Sequence, residues 1–116
     1  AIMTAHILYE EIDPEYPATL SPRFIRGVLR EELGFDGVVV TDGFSMGALT
    51  EEYSRVEALR QSFIAGVDLI LIHARYEYGE VFQEALDLLE AEVIDEELIR
   101  EGARRVLRLK ARLGLL

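Results

Sequence analysis

Cysteine is absent from this chain of 116 residues. Disulfides and thiolate metal sites are therefore excluded, and cysteine usage gives no information on the redox compartment. Long apolar runs are absent as well, because none approaches the roughly 20 residues of a membrane span. No charged segment precedes an apolar one at the N-terminus, as it would in a secretory signal. We expect a soluble segment and assign it to the cytoplasm.

Basic residues are scarce. The chain has 12 Lys and Arg against 22 Asp and Glu, which gives a formal net charge of −10. A phosphate backbone is held mainly by Lys and Arg, and a field of this sign repels it and any anionic membrane surface. We therefore expect neither nucleic acid nor a membrane as partner. The composition, 50% hydrophobic and 29% charged, is typical of a globular protein.

The signatures of several large enzyme classes are also missing. The sequence has no Gly-x-Gly-x-x-Gly, no phosphate-binding Gly-x-x-x-x-Gly-Lys-Ser/Thr, no His-Glu-x-x-His and no Gly-x-Ser-x-Gly. Dinucleotide binding, nucleotide hydrolysis, zinc proteolysis and the common serine hydrolase plan all lose support. We expect no metal and no cofactor.

What the sequence does contain is an alternation of apolar runs and amphipathic segments. The valines at 38–40 show no polar alternation, which is typical of a strand covered on both faces of a parallel sheet. Strands are expected at residues 1–8, 37–41 and 67–72. Helices are expected after Pro22, after Ser54 with Glu57 as a capping box, over residues 77–90 and after Asp95, with stops at Gly34 and Gly66. This order predicts an α/β fold with parallel strands and a single domain over residues 1–116.

The carboxyl ends of parallel strands are where reactive side chains gather in such folds. Asp42 directly follows a Val-Val-Val-Thr run and precedes Gly43, where a nucleophile or a metal ligand would be useful. The alternative is that Asp42 caps a short helix beginning near Phe44, since aspartate is a preferred N-cap residue. Spacing alone favours neither interpretation.

Four further residues lie near strand ends. His6 either lines the same mouth or is a buried histidine bonded to backbone. For His73 and Arg75, which follow the third strand, we favour solvated loop residues. Met46 sits between small residues and either forms an apolar wall of a pocket or fills the core, which is the commoner role of methionine.

Five segments of the sequence point to a family. They are Met-Thr-Ala-His-Ile at 3–7, Pro-Ala-Thr-Leu-Ser at 17–21, Leu-Arg-Glu-Glu-Leu-Gly-Phe-Asp-Gly-Val-Val-Val-Thr-Asp at 29–42, Ser-Met-Gly-Ala at 45–48 and Ala-Gly-Val-Asp at 65–68. In this order they resemble glycoside hydrolase family 3, particularly its bacterial β-N-acetylhexosaminidases. The resemblance extends from Ala1 to the last helix. It implies a partial (β/α) TIM-type barrel of about three parallel strands, the C-terminal segment of the catalytic barrel, because a complete barrel needs roughly 250 residues.

The resemblance also implies residue roles. Asp42 corresponds to the nucleophile of a retaining mechanism, and His6 and Met46 to substrate-binding positions. The family's acid/base histidine belongs to a Lys-His-Phe-Pro-Gly-His-Gly-Asp-like motif that this chain does not contain. Two positions depart from the family: Gly43 stands where a second Asp or a Trp is usual, and Glu10 where a Pro is usual. The loss of the second Asp puts substrate preference in doubt more than fold.

Three functional hypotheses follow. In the first, the chain is part of a hydrolase of terminal β-N-acetylglucosaminides, as found in peptidoglycan fragments. In the second, it is a catalytically inactive half-barrel that acts only through self-association, and in the third it belongs to a β-glucosidase of the same family. Because three parallel strands cannot close a barrel, their open edges predict a homo-oligomer.

Overall fold

The computed structural model, which describes residues 1–73 and 76–116, has a short parallel sheet among helices. Strand β1 (Ile2–Met3) pairs in parallel with β2 (Val39–Val40), with Ile2 opposite Val39. A single parallel bridge joins Val40 to Leu69 on the other side of β2. The expected parallel arrangement is therefore confirmed, with β2 between its two neighbours.

The strands are much shorter than expected from the apolar runs. Residues 1–8, 37–41 and 67–72 were expected to be strands, but only two residues of each of the first two are in regular strands, and the third contributes one bridge. Two backbone amides of the sheet bond to side chains and not to carbonyls of a neighbouring strand. The Leu71 amide donates to Thr41 Oγ1 at 2.9 Å, and the Val39 amide donates to Asp68 Oδ2 at 2.9 Å. Apolar composition predicts burial, but it does not show where a side chain will take the place of a carbonyl.

The first long helix differs from the expected α-helix. After a 3₁₀ turn (Ala18–Leu20), residues Arg23–Glu32 form a π-helix, and the Leu33 amide donates to the Val28 carbonyl five positions back. At α-helical spacing Leu33 would lie on the same face as the buried Ile25, but it is 71% exposed. Hydrogen bonds from i to i−5 widen the turn, so the α-helical spacing no longer brings Leu33 to that face.

The remaining helices are α1 (Gly47–Thr50), α2 (Arg55–Ala65), α3 (Tyr78–Glu90) and α4 (Glu96–Arg112). Of these, α2 and α4 have the capping residues that the sequence predicts. Helix α2 begins at the capping box of Ser54 and Glu57 and ends at Gly66, whose φ of 102° needs glycine. Asp95 accepts from the Glu97 amide at 2.9 Å and caps α4. All three capping predictions are confirmed.

Two clusters of buried side chains hold these elements together. One joins the 3₁₀ turn to α1, α2 and α3 through Leu20, Leu49, Leu59 and Val81, with Phe44 among them. The other joins the π-helix, β2 and α2 and consists of Ile25, Val39, Ala65 and Val67. The middle strand is therefore anchored, and its carboxyl end has a fixed position.

A buried carboxylate closes the opposite end of the sheet. The side chain of Asp68 is 1% exposed and forms ion pairs at 3.0 Å with Arg30 of the π-helix and with Arg105 of α4. It lies at the start of the third extended segment, and its amide donates to the carbonyl of Val39, three residues before Asp42, at 2.9 Å. This is the face of parallel folds that is associated with stability.

Apolar side chains remain uncovered at both outer segments of the sheet. Ile2 and Met3 of β1 are 38% and 56% exposed, and Leu69 and Leu71 are 43% and 45% exposed. Within the described ranges, no helix combines the length and the apolar character that crossing a membrane requires.

Candidate active site

Asp42 lies at the carboxyl end of β2, where Thr41 fixes the backbone. Thr41 is fully buried, its amide donates to the Leu69 carbonyl at 3.0 Å, and its hydroxyl accepts from the Leu71 amide at 2.9 Å. The side chain of Asp42 is partly buried, and its Oδ1 accepts from the Gly43 amide at 2.7 Å. A rigid strand end therefore presents a carboxylate whose orientation is set by the next peptide.

The capping alternative for Asp42 is wrong. Helix α1 begins at Gly47 and not near Phe44, and its N-cap residue is Met46, which makes no side-chain capping bond. Phe44 is 2% exposed, and its amide donates to the Leu71 carbonyl at 3.0 Å. The loop over residues 42–46 is thus pinned to the core by Phe44, and the Asp42 carboxylate is not used to begin a helix.

His6 reaches this loop from the segment after β1. Its Nε2 lies 3.0 Å from the Gly43 carbonyl oxygen, and its Nδ1 lies 2.9 Å from Thr19 Oγ1. Thr19 Oγ1 is in turn 2.9 Å from Thr4 Oγ1. The ring is partly buried and bonded to backbone, as the second interpretation of His6 expects, and the backbone group is that of Gly43, the residue after Asp42.

Sequence reasoning missed Thr4 and Thr19. Thr19 is fully buried beneath the His6 ring, on the 3₁₀ turn between β1 and the π-helix. Its signal in the sequence was a hydroxyl within an otherwise apolar Pro-Ala-Thr-Leu run, and buried hydroxyls need a hydrogen-bond partner. The partner, however, is 13 positions away, and no spacing rule identifies it.

Met46 lies at the exposed side of the loop. It is 46% exposed, so it does not fill the core. A Cβ atom placed on Gly43 would lie 3.6 Å from Met46 Cγ, which is ordinary van der Waals distance, and the φ of Gly43 is not in the left-handed region. Position 43 can therefore accept a side chain, including the second carboxylate that the family usually has there.

Two further candidates follow the third extended segment. His73 is exposed, as expected of a loop residue, and Arg75 lies outside the described residues. Among residues 1–73 and 76–116, no three His, Asp or Glu side chains converge on a position that could hold a metal ion. The site consists of Asp42, Gly43 and Met46 on one loop, with His6 bonded to that loop and supported by hydroxyl groups.

Similarity to known proteins agrees with the resemblance in the sequence. Residues 1–109 match the profile of the family described as Glycosyl hydrolase family 3 N terminal domain. Beta-hexosaminidase A of Pseudoalteromonas piscicida is 32% identical over 130 residues, which covers 97% of this chain and 22% of that protein.

Two solved structures are similar in fold and sequence. The beta-N-acetylglucosaminidase from Thermotoga maritima superimposes with a TM-score of 0.89 at 34% identity, covering 94% of this chain and 24% of that chain. A glycoside hydrolase family 3 beta-N-acetylglucosaminidase from Paenibacillus sp. str. FPU-7 gives a TM-score of 0.90 at 39% identity, covering 97% and 22%. The chain spans less than a quarter of the length of these relatives. With a family match that extends over nearly all of its residues, this chain belongs to glycoside hydrolase family 3.

Proposed function

We propose that this chain supplies the nucleophile segment of a retaining β-N-acetylhexosaminidase, with Asp42 attacking the anomeric carbon. The observation that carries the proposal is the place of Asp42 at the carboxyl end of the middle strand, where it is free of any capping role. The motif around it corresponds to the nucleophile motif of the family. A carboxylate in this position is where parallel α/β enzymes keep their reacting groups.

The geometry suits one half of a retaining mechanism. Such a mechanism needs one carboxylate that forms a covalent glycosyl intermediate and a second group that protonates the leaving oxygen. Asp42 Oδ1 is held by the Gly43 amide, and Oδ2 makes no hydrogen bond within the part of the chain that the structure describes. One oxygen therefore orients the carboxylate while the other faces the reaction. The proton donor comes from a part of the family's enzymes that this chain does not contain.

In this proposal the segment is part of a larger enzyme. Three neighbouring parallel segments with helices between them support a single domain over residues 1–116 that forms part of a (β/α) barrel, its C-terminal segment. The similarity to the Thermotoga and Paenibacillus beta-N-acetylglucosaminidases supports a terminal β-N-acetylglucosaminide as substrate. Met46, exposed beside Gly43, and His6 are the substrate-binding candidates. A cytoplasmic location remains a prediction, to be tested by cell fractionation.

Two other functions remain as hypotheses. The uncovered apolar side chains on β1 and around Leu69 favour self-association of an inactive half-barrel as the second candidate. A β-glucosidase of the same family is the alternative substrate class. Comparing the hydrolysis of aryl β-N-acetylglucosaminides with that of aryl β-glucosides by the longer protein that carries this segment distinguishes the two enzymes.

The nucleophile is tested in that longer protein. Asp42→Asn should remove nearly all hydrolysis, and an activated fluorinated glycoside should label the wild-type peptide that contains Asp42 and not the variant peptide. Asp36→Asn is the matched control, because Asp36 is an exposed aspartate that precedes the same strand. Full activity in Asp42→Asn, or a label on another peptide, would show that the nucleophile is elsewhere.

A further inference from the structure

Both ring nitrogens of His6 are bonded within the protein. Nε2 lies 3.0 Å from the Gly43 carbonyl oxygen. A carbonyl oxygen only accepts hydrogen bonds, so Nε2 must carry a proton whether the ring is neutral or cationic. The ring therefore presents a fixed donor to the loop that carries Asp42.

Two threonine hydroxyls support the other side of the ring. In the neutral ring Nδ1 accepts from the Thr19 hydroxyl, and Thr19 Oγ1 then accepts from Thr4; in the cationic ring both bonds run the other way. Hydroxyl hydrogens rotate freely, so the chain of bonds is satisfied in both cases. The orientation of the ring does not depend on its charge, and the fully buried Thr19 keeps this support dry.

Gly43 is the residue on which this donor acts. Its amide donates to Asp42 Oδ1 at 2.7 Å, and its carbonyl accepts from His6. A glycine has more backbone freedom than any other residue, and here it stands directly after the candidate nucleophile. The bond from His6 adds to two backbone bonds that already restrain this position, from the Met46 amide to the same carbonyl at 3.1 Å and from the Phe44 amide to the Leu71 carbonyl at 3.0 Å. It restrains the peptide that follows Gly43 and so helps to keep the preceding amide on the carboxylate.

We propose that His6 is a positioning residue for Asp42, acting through the Gly43 carbonyl, with Thr19 and Thr4 holding the ring. The proposal rests on the proposed function, because it gives the loop a purpose only if Asp42 reacts. Both ring nitrogens are used by the protein, so His6 is neither a general acid nor a general base in this arrangement. Any contact with the sugar would use the carbon atoms of the ring.

The hydrogen-bonding part of the proposal is tested on this chain by NMR, independently of activity. The chain has two histidines, so His73→Gln leaves His6 as the only one. Nitrogen-15 chemical shifts of the ring should show the tautomer that is protonated at Nε2. A neutral ring protonated at Nδ1 would overturn the assignment, since Nε2 could then not donate to Gly43.

Amide exchange at Gly43 gives the second measurement. His6→Phe should speed exchange of the Gly43 amide by about fivefold, which corresponds to the loss of roughly 1 kcal/mol of hydrogen-bond stabilisation. His6→Gln, which keeps a donor near the place of Nε2, should retain most of the protection, and Thr19→Val should lose part of it while Thr19→Ser does not. His73→Phe is the matched control and should leave Gly43 unchanged. Unchanged exchange of the Gly43 amide in both His6→Phe and Thr19→Val would overturn the proposal. If His6→Phe does not fold, the comparison of Thr19→Val with Thr19→Ser provides the test.

Kinetics of the longer enzyme separate positioning from sugar binding. If His6 positions Asp42, His6→Phe lowers kcat by roughly tenfold to a hundredfold with little change in KM, as expected for a misplaced reacting group. His6→Gln should recover most of the loss. A raised KM with an unchanged kcat would instead assign His6 to sugar binding and overturn the positioning role. Failure of the Asp42 labelling experiment would contradict the proposed function without changing the NMR results. Failure of the NMR tests would contradict the role of His6 without changing the labelling, so the two outcomes are distinguishable.

Discussion

The carboxylate of Asp68 takes the place of a strand partner for Val39. Its Oδ2 accepts the Val39 amide at 2.9 Å, across 29 positions of sequence. The same oxygen accepts from Arg30 Nη2 at 3.0 Å, while Oδ1 accepts from Arg105 Nε at 3.0 Å. One carboxylate thus completes the hydrogen bonding of β2 and joins the π-helix to α4.

Removing this carboxylate should destabilise the fold strongly. Asp68→Ala leaves two guanidinium groups without their anion and the Val39 amide without an acceptor, which should cost about 3 kcal/mol. For a domain of this size the melting temperature should fall by roughly 10 °C. Thermal unfolding followed by circular dichroism measures it. Asp42→Ala is the comparison and should change stability by less than about 1 kcal/mol, as for a residue outside the core. A larger loss of stability in Asp42→Ala than in Asp68→Ala would mean that the catalytic and stabilising faces have been misassigned.

Two glycine substitutions should have opposite effects. A Cβ on Gly27 in the π-helix would meet nothing within 4 Å, so Gly27→Ala should raise the free energy of unfolding by about 0.5–1 kcal/mol. A Cβ on Gly102 in α4 would lie 3.2 Å from Asp68 Oδ1, and Asp68 cannot move without lengthening its ion pairs. Gly102→Ala should therefore gain nothing or lose stability. Urea unfolding measures the stability of both variants. An equal gain in Gly27→Ala and Gly102→Ala would show that the Asp68 carboxylate can move away from the new methyl group at little cost.

Acid should remove a contribution made by Asp13. Burial raises the pKa of Asp13, but hydrogen bonds from the Ser21 hydroxyl and the Glu15 and Tyr16 amides and the charge of Arg23 lower it, and the resulting pKa lies below its ordinary value. A pKa that is lower in the folded state gives stability that is present above the unfolded value of about 3.9 and is lost as the pH falls through the folded one.

Asp13→Asn tests this dependence. Wild type should exceed the variant in free energy of unfolding at pH 6, and the difference should shrink below about pH 4. Urea unfolding of both proteins at each pH cancels the contribution of the other titrating groups. A difference that stays constant or grows on acidification would contradict the assignment.

The chain by itself should not be a competent glycosidase. Asp42 can act as a nucleophile only with a proton donor and sugar-binding groups around it, and the family's acid/base motif is not in this sequence. The purified 116-residue chain should show no useful turnover of aryl β-N-acetylglucosaminides. Turnover that disappears in Asp42→Asn would contradict this expectation, with His73 the first residue to substitute in a search for the proton donor, since both ring nitrogens of His6 are bonded within the protein.

The uncovered segments of the sheet should drive association. Met3 and Leu71 are 56% and 45% exposed, and each Å² of apolar surface left in water forfeits about 25 cal/mol. Sedimentation at micromolar concentration should show a dimer or a larger species. Met3→Lys and Leu71→Lys should shift it towards monomer, while Leu33→Lys, at an exposed position on the π-helix, should not. A compact monomer that binds no dye for apolar surface would refute the idea.

The features that could be predicted from the sequence are those set by local chemistry. Ser54 and Glu57 form a capping box because the residues that satisfy the first helical amides lie within one turn of each other. Gly66 adopts a left-handed conformation that other residues rarely adopt. The valine run predicted that Asp42 follows a strand, but its role as nucleophile came from the resemblance to the family and stays a prediction.

The features that could not be predicted depend on distant partners. The π-helix packs Ile25 and Leu29 against β2 and α2, and no spacing rule for α-helices predicts its wider turn. The strands are shorter than expected because the side chains of Thr41 and Asp68 accept hydrogen bonds from backbone amides that would otherwise bond to a neighbouring strand. The hydroxyl support of His6 joins Thr4 and Thr19, and only the folded chain brings the two together.

The ion pair between Asp68 and Arg105 has a consequence for synthesis on the ribosome. Arg105 follows Asp68 by 37 positions. At about 5–20 residues per second, roughly 2–7 s separate the two residues as the chain is made. During that interval the nascent sheet holds a carboxylate with only one of its two cations, and α4 does not yet exist to cover it. Released chains truncated before residue 105 should therefore be more sensitive to protease than the full 116 residues, even though β1 and β2 are present in both.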